Sequence, residues 1–155
     1  MKYNILVTFL MVAFFSHQPY AQDNSIKSNL LTSYFNLKNA LVQGNFKNAS
    51  IQASQMIKDI SSTKKLSDAK VQDKILEDAS HIAASKDISH QRDHFARLSK
   101  NMLIAVKELK LNTTKIYYDY CPMLKSYWLS NETAIKNPYY GNQMLTCGNI
   151  AEVIL

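Results

Sequence analysis

Two sulfur-bearing groupings near the end of the sequence carry the residue types best suited to hold a ligand: Cys121-Pro122-Met123 and Met144-Leu145-Thr146-Cys147-Gly148. Each places one Cys within a few residues of one Met. Thiolate and thioether are soft, polarizable donors, so a site of Cys121, Met123, Met144 and Cys147 selects copper as Cu(I) over the hard cations Mg, Ca and Mn. Pro122 restricts the backbone at the first grouping and Gly148 permits a tight turn after the second, which helps both segments aim sulfur inward. The same cysteines also suit a Cys121–Cys147 disulfide, with the two methionines packed against aromatic rings. Two free buried thiols are a third state open to them.

His90 and His94 are weaker ligand candidates. Four residues apart on a helix, they sit one turn from each other and can face the same way. They flank the apolar stripe of that helix, and His81 falls on the polar side of the helix before it. Two Cys with two His would suit zinc, provided that the C-terminal segment folds back onto the histidine-bearing helix. Hydrolytic chemistry has no comparable pattern: the chain lacks Gly-x-Ser-x-Gly, His-Glu-x-x-His and a phosphate-cradling Gly loop. A Cys121-His94 nucleophile pair has no third group to orient it. The sequence therefore predicts binding without catalysis.

What the cysteines do depends on the compartment. Lys2, an apolar run from Ile5 to Phe15 and a polar stretch ending in Ala21 follow the plan of a secretory signal peptide over residues 1–21. The apolar run is shorter than the roughly 20 residues a membrane-spanning helix needs, and no later stretch is longer. The predicted product is periplasmic or secreted, an oxidising setting, with no stable membrane insertion after signal cleavage. The formal charge of +6 includes Lys2 of that leader. Lys64, Lys65, Lys70 and Lys74 alternate with Asp68, Asp73, Glu77 and Asp78, a solvated helix face, and no nucleic-acid partner is predicted.

The elements that must position these groups are mostly helical. With 155 residues, 46% of them hydrophobic, and only three Gly and three Pro, the composition suits one globular domain over residues 22–155. Ile26, Leu30, Leu31, Tyr34, Leu37 and Leu41 recur at three and four, predicting a helix from Asn24 to about Val42. Gly44 stops it and Asn45 can cap a second helix that ends at Ser61, Ser62 and Thr63. A third begins near Ser67 or Asp68, and a fourth runs from about Asp87 to Leu111 with Ile88, Phe95, Met102 and Leu109 spaced by seven. No Gly or Pro separates Ala84 from Ile88, so the last two are also compatible with one long bent helix.

The fold class predicted is mainly α, an up-and-down bundle of about four helices with an irregular, aromatic-rich C-terminal lobe over residues 115–155. That lobe holds Tyr117, Tyr118, Tyr120, Tyr127, Trp128, Tyr139 and Tyr140 with both Cys. Ile116, Tyr118 and Tyr120 alternate as in a short extended segment. Ser130 can cap a single helical turn with Glu132, and Asn137-Pro138 with Gly141 marks a turn.

The order Tyr120-Cys121-Pro122-Met123, Trp128-Leu129-Ser130, Ile135-Lys136-Asn137-Pro138-Tyr139-Tyr140-Gly141 and Met144-Leu145-Thr146-Cys147-Gly148 resembles the bacterial family called domain of unknown function 3347, as do the upstream Gln91-Arg92, Phe95, Leu98 and Ser99. The resemblance implies an association with copper and cation efflux, because such domains occur fused to periplasmic adaptor subunits of metal efflux pumps. It points to Cys121, Met123, Met144 and Cys147 as metal ligands and to an efflux adaptor or P-type pump as partner. A looser similarity links these motifs to a small heavy-metal-binding ribbon, from which the chain departs at Leu124 and Asn149.

Overall fold

Each break in the helical pattern has a side chain responsible for it. The computed structural model describes residues 20–155, with side chains from Asn29 onward. The predicted signal peptide lies outside the described residues, apart from the backbone of Tyr20 and Ala21. Helix α1 (Tyr20–Val42) ends where Gly44, at φ +68°, takes the left-handed conformation and lets the Asn45 N–H donate back to the Ala40 carbonyl at 2.9 Å. Asn45 then accepts from the Asn48 N–H and caps α2 (Phe46–Ser62). Asp68 caps α3 (Ala69–Ala84) by accepting from the Lys70 N–H at 2.9 Å.

The third and fourth helices are separate. Ser85 accepts from the Asp87 N–H at 3.1 Å, and Asp87 accepts from the Ser89 N–H at 2.9 Å as the cap of α4 (Ile88–Leu109). Two short polar side chains offer the backbone local partners that compete with helix, so no Gly or Pro is needed for the break. Gln91, fully buried, clamps the junction: its Nε2 lies 3.1 Å from the Ile82 carbonyl, 3.0 Å from that of Ser85 and 3.1 Å from that of Phe46.

Helix α1 packs on α2, α2 on α3 and α3 on α4, while α4 returns only lightly to α1. This is the up-and-down bundle that short links between amphipathic helices favour. Phe95, Leu98, Met102 and Ala105 of the α4 stripe are fully buried and belong to one core with Leu37 and Leu41 of α1 and Met56 and Ile60 of α2. Each of the large side chains contributes roughly 1.5–3 kcal/mol by leaving water.

The C-terminal lobe covers the open side. It contains more regular structure than the sequence suggests: β1 (Ile116–Cys121), β2 (Ser126–Ser130) and β3 (Asn149–Ile154) form an antiparallel sheet in the order β2-β1-β3. Ser130 caps no helical turn. It ends β2 opposite Tyr117, and its hydroxyl accepts the Glu132 N–H at 3.1 Å to turn the chain away from the sheet. Tyr34 bolts the lobe to the bundle, because its hydroxyl lies 2.7 Å from Ser99 Oγ on α4 and accepts the Leu129 N–H of β2 at 3.0 Å. Among the described residues, no helix is long and apolar enough to cross a membrane.

Candidate functional site

The register of the sheet brings the two cysteines together. Tyr120 of β1 lies opposite Asn149 of β3, so continuing the antiparallel pair carries Cys121, at the end of β1, alongside the segment that enters β3. Both thiols are free, and Cys121 is close enough to Cys147 to perturb its thiol. Burial first, then the neighbouring Cys121, push the Cys147 thiol above its usual range. Cys121 is fully buried and Cys147 is half-buried, which leaves the pair one approach from solvent.

Two residues fix the Cys147 backbone. Asn137 is fully buried, donates from Nδ2 to the Cys147 carbonyl at 2.7 Å, and accepts the Tyr139 N–H at 2.8 Å. It thus ties the Pro138 turn to the thiol segment, a role that the Asn-Pro pair signals only as a turn. Gly148 lies flat on the sheet, where a Cβ would stand 2.8 Å from Trp128 Cη2 and 2.9 Å from the Tyr120 carbonyl oxygen. Trp128 in turn packs edge-on against Tyr139, ring centroids 5.8 Å apart.

The methionines sit in different surroundings from Cys121. Met123 lies in the turn between β1 and β2 and is 63% exposed, and Met144, after the short 3-10 turn Gly141–Gln143, is 37% exposed. Two thiolates alone satisfy a two-coordinate soft cation, so the Cys121–Cys147 pair fits copper as Cu(I) without them.

Asp119, two residues before Cys121 on the same face of β1, is fully buried with neither carboxylate oxygen hydrogen-bonded. Burial pushes its carboxyl up to about 7, against smaller opposing pulls from the Lys38 charge and the adjacent Trp128 indole. Lys38 is buried as well, with Nζ 3.4 Å from Ser130 Oγ, and burial lowers its ammonium group.

A second group of donors lies between α3 and α4. His81, His90 and His94 offer nitrogens that all lie within 4.8 Å of one another. His81 and His94 stack at 4.2 Å between centroids, and His90 and His94 sit at 4.6 Å. His94 lies on the buried face rather than beside it, because it reaches the buried Asp78 of α3: Nδ1 is 2.8 Å from Asp78 Oδ1, which also accepts from Arg97 Nε at 3.1 Å. Burial lowers the His94 imidazole, and the Asp78 bond only partly offsets this. The one-turn spacing of His90 and His94 marks them as a pair, whereas the position of His81 on the polar side of α3 does not signal that it joins them.

The histidines face α3, whereas the lobe meets α4 through Phe95, which packs on Tyr139, and along a hollow shared by Ala96, Lys100, Tyr118 and Tyr127. The thiols and imidazoles therefore belong to separate sites, and a mixed zinc site of two Cys and two His is not assembled. The family described as a protein of unknown function, DUF3347, matches residues 30–114, which span α1 from Leu30 through α4 and stop short of β1. No curated protein and no solved structure matches the chain.

Proposed function

The chain belongs to the DUF3347 family, and from that premise we propose that it is an exported, non-catalytic carrier of copper as Cu(I), held by the Cys121 and Cys147 thiolates and passed to an efflux adaptor or P-type pump. The observation that carries this reading is the pair of free, neighbouring thiols, one buried and one half-open to solvent, assembled from positions 26 residues apart. Cu(I) accepts two thiolates, and its binding displaces the thiol protons. Met123 and Met144, exposed nearby in sequence, are suited to receiving or releasing the ion at the surface. The raised Cys147 proton affinity weighs against thiol catalysis, since a nucleophilic cysteine needs the opposite shift.

Titrating Cu(I) into the reduced protein against a competing chelator tests this. One equivalent should bind, and Cys121→Ser with Cys147→Ser should abolish it; equal affinity in that variant removes the proposal. Replacing Met123 and Met144 by Leu should leave affinity nearly unchanged and slow transfer to the chelator. The same thiol adjacency favours a second reading, an interaction module stapled by a Cys121–Cys147 disulfide. Intact mass after alkylation, with and without reductant, separates the two: a quantitative disulfide that resists mild reductant, with no copper bound after reduction, selects the module.

A further inference from the structure

We infer that His81, His90 and His94 form a second metal site, distinct from the thiol pair, that takes a borderline divalent cation such as Zn2+ or Cu2+ through three imidazole nitrogens and leaves one position open to solvent. Imidazole is the donor such ions share, and three protein nitrogens with one free position is a recurrent arrangement for them. The three rings are gathered into one cluster, their ligand nitrogens within 4.8 Å of one another. A tetrahedral ion with bonds of about 2.0–2.1 Å needs nitrogens roughly 3.4 Å apart, so the rings must close inward. His81 and His90 are exposed and free to rotate, while His94 is the fixed point. In closing, the His81 ring must leave its stack on His94, which lies only 14° from parallel.

The support behind His94 is what separates this cluster from a chance meeting of surface rings. Asp78 is buried, and its Oδ1 lies 2.8 Å from His94 Nδ1; in the tautomer that donates from Nδ1 to this carboxylate, Nε2 keeps its lone pair for a metal. A carboxylate behind a ligating histidine fixes tautomer and orientation in this way at many metal centres. The Arg97 guanidinium, which can only donate, lies 2.6 Å from the same nitrogen and competes with Asp78 for it, while its Nε is bonded to Asp78; metal binding through Nε2 selects the tautomer in which Nδ1 donates to Asp78. A hollow lined by His81, Ala84, Ser85, Asp87 and His90 opens the site to water and adds a carboxylate at its rim.

The test uses the full chain carrying Cys121→Ser and Cys147→Ser, so that thiols do not compete, with the wild-type cysteine background measured in parallel should the serine background fail to fold. ZnCl2 and CuCl2 are titrated against a chromophoric chelator while side-chain 1H–15N spectra follow the imidazoles. One equivalent should bind with Cu2+ tighter than Zn2+. The rings of His81, His90 and His94 should shift together. His81→Ala with His90→Ala, both on the surface, should weaken binding at least about 100-fold with the helical circular dichroism unchanged, and Asp78→Asn should weaken it about 10-fold. Affinity unchanged by the double alanine variant in either background, or rings that neither ion moves, overturns the inference. Loss of Cu(I) binding in the serine variant bears only on the thiol reading.

Discussion

The imidazole cluster and the thiol pair are assembled by opposite means. His81, His90 and His94 lie within one helical hairpin whose link is three residues long, and Asp78, itself bonded to Arg97, meets His94 from behind. Cys121 and Cys147 come from a strand and a loop, and they meet only once the sheet has its register and Trp128, Tyr139 and Asn137 have packed. The contrast repeats in their buried aspartates: Asp78 accepts from Arg97 and meets His94, while Asp119 has no hydrogen-bond partner. A local site can be fully satisfied by neighbours in sequence. A site built from distant segments inherits whatever polar groups those segments carry inside, and here it inherits a buried carboxyl at a cost in stability.

The largest way to break this contrast is Gly148→Ala. Its Cβ would collide with Trp128 and with the Tyr120 carbonyl, and the backbone there, at φ +152°, is one L side chains rarely adopt. Overpacking together with backbone strain should cost about 3–5 kcal/mol. Urea unfolding measures it, and the near-ultraviolet signal of the lobe should be lost while the imidazole cluster keeps its divalent-ion affinity. Coupled loss of both would show that the lobe and the hairpin are not independent.

Next in size is Asp119→Asn. The folded carboxyl titrates at about 7, above its unfolded value of about 3.9. The folded state therefore holds a proton that the unfolded chain has released across that window. Its contribution is fully present below about pH 4 and is lost as pH rises to about 7. Asn does not titrate, so the stability of the variant relative to wild type should rise by about 2–4 kcal/mol between pH 4 and 7.5, each tenfold in proton affinity carrying about 1.4 kcal/mol. Thermal melts of metal-free protein across that range check it, and parallel curves for the two proteins would contradict the burial argument.

The smallest expected effect sharpens the local half of the comparison. Asp87→Ala removes the cap of α4 and should cost about 1 kcal/mol. The first turn of α4, which carries His90, should fray enough to weaken divalent-ion binding a few-fold, and Cu(I) binding by the thiols should not change. Hydrogen exchange at Ser89 and His90 reports the fraying directly.

Most of the bundle was legible because its signals are short-range. The three-and-four spacing through Tyr34 and Leu41, the stop at Gly44, the cap at Asn45 and the helix start near Ser67 or Asp68 each depend on residues within one turn. The division between α3 and α4 was left open for want of Gly or Pro, and that hid His81. Once Ser85 and Asp87 set the break, folding the hairpin about it brings His81 opposite His90 and His94. Ser130 misled for a related reason: its hydroxyl does accept the Glu132 N–H, but the pairing of β2 with β1 has already claimed its backbone.

The sequence by itself determined the first two helices, the helical character of the rest of the bundle and the choice of soft donors in the last quarter of the chain, since each follows from residue type and periodicity among near neighbours. Only the tertiary structure decided which donors share a site. Antiparallel register put Cys147 beside Cys121, the packing of α3 on α4 put Asp78 behind His94, and the covering of the sheet left Asp119 inside without a partner. These are contacts between segments far apart along the chain, fixed by how whole faces bury against one another, and no local pattern encodes them.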